Sequence, residues 1–189
     1  MKQYGLYFDQ TRCTGCYTCL VACKDWYDLD AGPVNFMRIH CIEKGIFPDL
    51  FAAYLALPCY HCLKPPCVQV CPGKAIIKRE KDGIVVVDPD RCLGGEECPQ
   101  KCLKVCPWKA PQFSPEKGAK MRKCELCVER LKDGKQPICV EACPMFALEI
   151  GFLDFLMKKY GEGTEAEGFK NFKQFSPAVI FKPKKLPPV

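Results

Sequence analysis

Histidine is nearly absent: among 189 residues only His40 and His61 occur. Two imidazoles cannot serve as general bases for 17 cysteines, so thiol-based nucleophilic catalysis is disfavoured from the outset. A long apolar run is missing too. The nearest approach, Ile150 to Met157, is short and interrupted by Gly151 and Asp154, well under the roughly 18 to 20 residues that span a bilayer, so a chain soluble by itself is expected. The opening Met1-Lys2-Gln3-Tyr4-Gly5 lacks a positive region followed by an apolar core, so no leader of its own is expected. Without an exported, oxidising context, a disulfide scaffold loses its footing. Tryptophan is scarce as well, and Trp26 and Trp108 are assigned to packing.

What is abundant is cysteine, far above ordinary usage, which in a short chain signals disulfides or metal. The formal charge of +6 invites a nucleic-acid partner, but that count leaves cysteines neutral. Thiolates ligating metal lower that count, because their negative charge exceeds the positive charge of the metal they hold. The basic residues then largely offset cofactor charge, and no nucleic-acid partner is expected.

The first run, Cys13-x2-Cys16-x2-Cys19-x3-Cys23, has the ligand spacing of a bacterial ferredoxin, in which the fourth cysteine serves a different cluster from the first three. Tight x2 loops bring three sulfurs around one [4Fe–4S] cube, and the fourth, a helical turn further on, points away. Three more runs follow: Cys59-x2-Cys62-x4-Cys67-x3-Cys71-Pro72, Cys92-x5-Cys98-x3-Cys102-x3-Cys106-Pro107 and Cys124-x2-Cys127-x11-Cys139-x3-Cys143-Pro144. Each is expected to exchange its last ligand with another run, although spacing alone does not say which runs pair. The third departs most from compact spacing, with Gly94-Gly95-Glu96-Glu97 widening its first loop. Structural zinc is the main rival, since four-cysteine zinc sites favour two short pairs and Cys124-x2-Cys127 could supply one; the repeated three-plus-one grouping favours clusters. His61, inside the second run, reads as a hydrogen-bonding or packing neighbour rather than a ligand, and Cys41, outside any run, as a small buried hydrophobe.

Between the runs the expected elements are short. Tyr4 to Asp9 reads as a strand, Leu20 to Tyr27 as a helix, and Phe36 to Ile42 with Phe51 to Leu57 as two strands about a Gly45/Pro48 turn. Ala75 to Arg79 and Ile84 to Asp88 flank Asp82-Gly83 as a hairpin whose loop can exceed two residues. Trp108 to Lys120 reads as loop, and Glu129 to Gly134 as a helix end and turn. Met145 to Ile150 is expected as a strand, Phe152 to Tyr160 as a helix, and Gly161 to Val189 as a tail wrapped over the surface or a partner.

Three segments carry a resemblance: Tyr4-Gly5-Leu6-Tyr7-Phe8-Asp9-x2-Arg12-Cys13-Thr14-Gly15-Cys16, Cys59-Tyr60-His61-Cys62-Leu63-Lys64-Pro65-Pro66-Cys67 and Lys123-Cys124-Glu125-Leu126-Cys127. Together they resemble the iron–sulfur subunit of dimethyl sulfoxide and polysulfide reductases, the four-cluster subunit found beside bis-molybdopterin molybdenum or tungsten enzymes. The resemblance implies an α+β, double bacterial-ferredoxin-like fold with short hairpins and helices around four [4Fe–4S] clusters, plus an extended C-terminal tail. It implies an outer module of residues 1–50 and 108–160, an inserted module of 51–107 and a docking tail of 161–189. The implied ligand sets are Cys13, Cys16, Cys19 and Cys143; Cys124, Cys127, Cys139 and Cys23; Cys59, Cys62, Cys67 and Cys106; and Cys92, Cys98, Cys102 and Cys71.

The function expected is a non-catalytic relay of single electrons, in anaerobic respiration, between a large molybdopterin subunit holding molybdenum or tungsten and a redox partner such as a quinone-linked membrane anchor. Lys24, Lys64, Lys74, Lys101, Lys104 and Lys123, beside the runs, are candidates to stabilise reduced cubes. A free-standing polyferredoxin, serving several enzymes without a fixed complex, is the alternative. The complex can be cytoplasmic, or exported with a partner carrying a twin-arginine signal and held peripherally on a membrane.

Overall fold

The computed structural model describes residues 2–185. In chain order the elements are β1 (Tyr4–Asp9), α1 (Thr18–Trp26), β2 (Ile39–Lys44), β3 (Phe51–Ala56), α2 (Pro66–Val70), β4 (Ile76–Lys78), β5 (Val85–Val87), α3 (Gly94–Glu97), α4 (Lys101–Val105), α5 (Val128–Lys132), α6 (Ile138–Glu141), β6 (Leu148–Phe152), α7 (Leu153–Tyr160) and β7 (Val179–Lys182). This is the mixed α+β architecture of short hairpins and short helices expected. None of the described helices is long and apolar enough to cross a membrane.

The aromatic strand β1 is the middle of a three-stranded sheet. It pairs antiparallel with β6, Tyr4 opposite Phe152 and Phe8 opposite Leu148, and parallel with β7, Leu6 opposite Val179 and Asp9 opposite Lys182. Its two-residue period divides its side chains between two cores. Leu6 and Phe8 enter the main core with Ile150, Val179 and Phe181, whereas Tyr7 lies on the other face with Leu156 of α7 and Ile180. Full burial of each large side chain contributes about 1.5 to 3 kcal/mol.

β2 and β3 form a separate two-stranded ribbon, Ile39 opposite Ala56 and Lys44 opposite Phe51. β4 and β5 form the expected hairpin, but only three residues pair on each side, Ile76 with Val87 and Lys78 with Val85. Two buried glutamines join the parts. Gln3 donates to His61 O at 3.1 Å and accepts from Lys78 Nζ at 2.6 Å. Gln10 donates to Tyr54 O and Glu167 O and accepts from the amides of Glu167 and Lys184.

Several expectations change. Helix α1 begins at Thr18 because Tyr17, at φ 60°, makes the turn into it. β6 begins at Leu148 because Phe146, at φ 49°, is held in a left-handed turn. Cys41, read as buried, is exposed: it lies on the ribbon strand β2, opposite Tyr54, with its thiol toward solvent and Glu43 at 3.9 Å.

The segment after Gly161 runs extended, yet much of it is built into the fold instead of lying over it. Val179, Ile180 and Phe181 are buried in the central sheet, and Phe169 stacks on Trp108 with centroids 5.6 Å apart. The physical reason is an apolar cluster, Val-Ile-Phe, that gains more by covering the open edge of β1 than by staying in water. Residues 186–189 of the expected tail lie outside the described residues.

Candidate iron–sulfur centres

Sixteen of the cysteines gather into four groups, each mixing two runs. At site I, Cys13, Cys16, Cys19 and Cys143 line one cavity with about 360 Å³ of atom-free space and walls from Phe8, Ile39 and Leu148. At site II, Cys23 and Cys139 interact electrostatically with Cys124 and Cys127. At site III, Cys62 interacts with Cys59, Cys67 and Cys106. At site IV, Cys71, Cys92, Cys98 and Cys102 line a second cavity, also of about 360 Å³, with Ile76, Phe113 and Met121. The widened third run therefore closes like the others: Gly94, at φ 80°, sits against the backbone of Gly118, where a Cβ would collide.

The four groups form a row. Cys19 is within electrostatic reach of both Cys23 and Cys139, joining sites I and II. Cys59 acts on Cys124, joining II and III, and Cys102 acts on Cys67, joining III and IV.

Two local devices recur. In the Cys-x-x-Cys that opens runs one, two and four the residue before the second cysteine is left-handed: Gly15 at φ 69°, His61 at 42° and Leu126 at 54°. This turn swings the second thiol back beside the first. Each Cys-Pro that closes a run is followed three residues after the cysteine by another left-handed residue, Lys74, Lys109 or Phe146, and then by an alanine. The alanine amide donates to the cysteine sulfur: Ala75 to Cys71 at 3.3 Å, Ala110 to Cys106 at 3.4 Å and Ala147 to Cys143 at 3.4 Å. Proline, which has no amide proton, leaves that sulfur to the alanine. The repeat Cys-Pro-x-x-Ala was visible in the sequence and was overlooked there.

As free thiols these groups are poorly solvated and mutually repulsive when charged. Burial, then Cys13 and Cys143, push Cys19 up to about 12. Burial pushes Cys102 to about 11, opposed by the Leu103 amide, and Cys124 to about 12, with Cys59 adding to it. Cys23, Cys62 and Cys139 are raised further, mainly by burial and then by neighbouring cysteines. Exposed Cys16 alone among them is lowered, chiefly by the Thr18 hydroxyl at 3.4 Å.

This donor set fits iron–sulfur clusters: all-sulfur ligands, apolar walls and amide donors aimed at sulfur. Among the described residues no three His, Cys, Asp or Glu side chains are close enough to share a single metal ion. The sulfurs are spread more widely than four thiolates lying about 2.3 Å from one zinc.

Of the six lysines singled out, only Lys123 is buried. Its ammonium bonds to Val85 O and Cys124 O and acts on both Cys67 and Cys124, between sites II and III. His61 is buried, and its Nδ1 accepts the Val85 amide at 2.9 Å, in keeping with its expected neighbour role. Trp108 packs, as expected, against Tyr60 and Phe169. Sequence reasoning missed two polar residues. Arg38 donates to Leu57 O and Trp108 O and acts on Cys106 and Cys59, and the Tyr27 hydroxyl lies beside Cys127. Neither is within ten residues of the cysteines it faces, so no spacing signal marks them.

A family model described as a 4Fe-4S dicluster domain matches residues 50–153. The sequence is 44% identical over 190 residues to the probable anaerobic dimethyl sulfoxide reductase component YnfG of Escherichia coli (strain K12), covering 96% of this chain and 89% of that one. It is 43% identical over 189 residues to a component of the anaerobic dimethyl sulfoxide reductase of the same strain, with the same coverage. It is 35% identical over 174 residues to a component of the sulfite dehydrogenase of Allochromatium vinosum, covering 80% and 69%. With cysteine groups suited to [4Fe–4S] clusters and relatives matched along nearly their whole length, this protein belongs to the iron–sulfur electron-transfer subunits of dimethyl sulfoxide reductase-type molybdoenzyme complexes.

Proposed function

We propose that this protein binds four [4Fe–4S] clusters, one at each of sites I to IV, and conducts single electrons along that row between a large molybdopterin catalytic subunit, holding molybdenum or tungsten, and a redox partner such as a quinone-linked membrane anchor. The ligands are Cys13, Cys16, Cys19 and Cys143 at site I; Cys23, Cys124, Cys127 and Cys139 at site II; Cys59, Cys62, Cys67 and Cys106 at site III; and Cys71, Cys92, Cys98 and Cys102 at site IV. When bound, the clusters supply one-electron redox chemistry. The protein's own part is to hold adjacent sites together through the close pairs Cys19 with Cys23, Cys59 with Cys124 and Cys67 with Cys102. Buried Lys123 offsets negative charge in the middle of the row.

The observation that carries this reading is the crossing: each group takes three cysteines from one run and one from another. Elemental analysis of the complex isolated anaerobically from its native source tests it. About sixteen irons per copy of this protein, with molybdenum or tungsten in a co-purifying large subunit, is the expected result. About twelve would overturn the four-cluster count, and iron without a large partner would favour the free-standing polyferredoxin.

A further inference from the structure

Among the described residues three buried side-chain nitrogen or oxygen atoms lack a hydrogen-bond partner: Tyr27 Oη, Arg38 Nε and His61 Nε2. All three are at the two middle sites and none is at an end site. The Tyr27 hydroxyl is directed at the Cys127 thiol of site II, and no other group is within its reach. Arg38 acts on Cys106 and Cys59 of site III, and its terminal nitrogen is already committed to Leu57 O and Trp108 O. His61 stands between Cys59 and Cys62 of site III. Because its Nδ1 accepts the Val85 amide, its proton is on Nε2. Each orphan is thus a donor.

An unsatisfied buried donor is destabilising, and three of them gathered at two neighbouring sites call for acceptors there. We propose that these three donors direct their protons at sulfur in the middle pair of sites, Tyr27 at site II and Arg38 with His61 at site III, and thereby raise the reduction potentials of that pair. This rests on the electron-relay reading above.

Reduction adds negative charge, and burial away from water opposes that charge unless donors or cations offset it. Amide donors are present at both end and middle sites, since Cys71, Cys106 and Cys143 each accept one, so they do not separate the sites. The buried side-chain donors and Lys123 do, the one side-chain donor named at an end site, Thr18 to Cys16 at site I, being exposed. Hydrogen bonds to sulfur and nearby positive charge stabilise the reduced state, so they keep the two interior steps from becoming the uphill ones. Tyr27, Arg38 and His61 are positioning residues in this role.

The test is a potentiometric titration of the anaerobically purified complex, each reduced cluster followed by its electron paramagnetic resonance signal. Cys127→Ser and Cys106→Ser identify the signals of sites II and III. Tyr27→Phe, which deletes only the hydroxyl, should lower the site II midpoint and leave the others in place. Arg38→Gln should lower that of site III, and Arg38→Lys, which keeps the charge, should lower it less. Should an Arg38 variant lose its cluster, the wild-type complex decides: with histidine labelled with ¹⁵N and His40 replaced by Gln, pulsed resonance should detect a nitrogen coupled to site III. Unmoved midpoints with clusters intact, or no histidine coupling, would overturn the proposal. Absence of [4Fe–4S] signals from every preparation would instead overturn the relay reading beneath it.

Discussion

The two halves of the molecule are stabilised by different means. The half around sites I and II has a core that would exist without cysteine: the sheet β6-β1-β7, with Leu6, Phe8, Ile150, Val179 and Phe181 on one face and Tyr7, Leu156 and Ile180 on the other. The half around site IV has Ile76, Val85 and Met121, with Cys102 among them and Cys67, Cys71 and Cys92 packed against them. Among the described residues its sheet is a hairpin of three residues a side. One half folds around a broad apolar core with cysteines at its edge; the other has a smaller apolar cluster, to which Val68, Val87 and Phe113 add, interleaved with its cysteines.

The largest expected effect of that difference follows from removing iron. Metal binding and folding are coupled where no site is preformed, so chelation should abolish amide-exchange protection through residues 59–107 while β1, β6 and β7 keep most of theirs. Equal loss in both halves would show that the central sheet also depends on the clusters. Next in size is Cys143→Ser, expected to cost about four irons and to remove the signal of site I, whose other ligands lie more than a hundred residues earlier. Loss confined to the site of Cys124, Cys127 and Cys139 would instead mean that the fourth run keeps its own last ligand.

A smaller effect separates run one from runs two and four. All three have a left-handed residue before the second cysteine, but only run one uses glycine, since a Cβ there would overlap the Tyr54 ring. Gly15→Ala combines a left-handed penalty of about 1 to 2 kcal/mol with displacement of Tyr54, and should speed chelator-driven bleaching of site I. An unchanged rate would mean that the Tyr54 ring moves aside freely. The smallest change is a gain. Phe146 is left-handed and 74% exposed, so Phe146→Gly should relieve about 1 kcal/mol with little packing lost, read as a higher denaturant midpoint for the loss of visible colour. A lower midpoint would show that the Phe146 ring is held by a contact worth more than the strain.

Local elements were legible because their signals are local. β1 occupies the residues expected, and the Asp82-Gly83 hairpin forms with the longer loop allowed for it, Arg79 amide to Ile84 O at 2.9 Å closing it. Cys41 was misread because average burial of cysteine says nothing about which face of a two-stranded ribbon meets solvent. β7 was missed because its partner lies some 170 residues away, and parallel pairing across such a distance leaves no periodic mark.

By itself, then, the sequence determined the chemistry: four sets of four thiols, three of them closed by proline, at spacings set by the reach of a short loop around a cluster. Only the tertiary structure decided the environment of each set, because a side chain's neighbours depend on contacts between distant segments. It buried Lys123 between two sites, brought Arg38 to Cys106 and Tyr27 to Cys127, and, among the described residues, left three buried polar atoms without a partner. Cysteine spacing is local and readable in one dimension, whereas solvation, hydrogen bonding and the field at a site are sums over space.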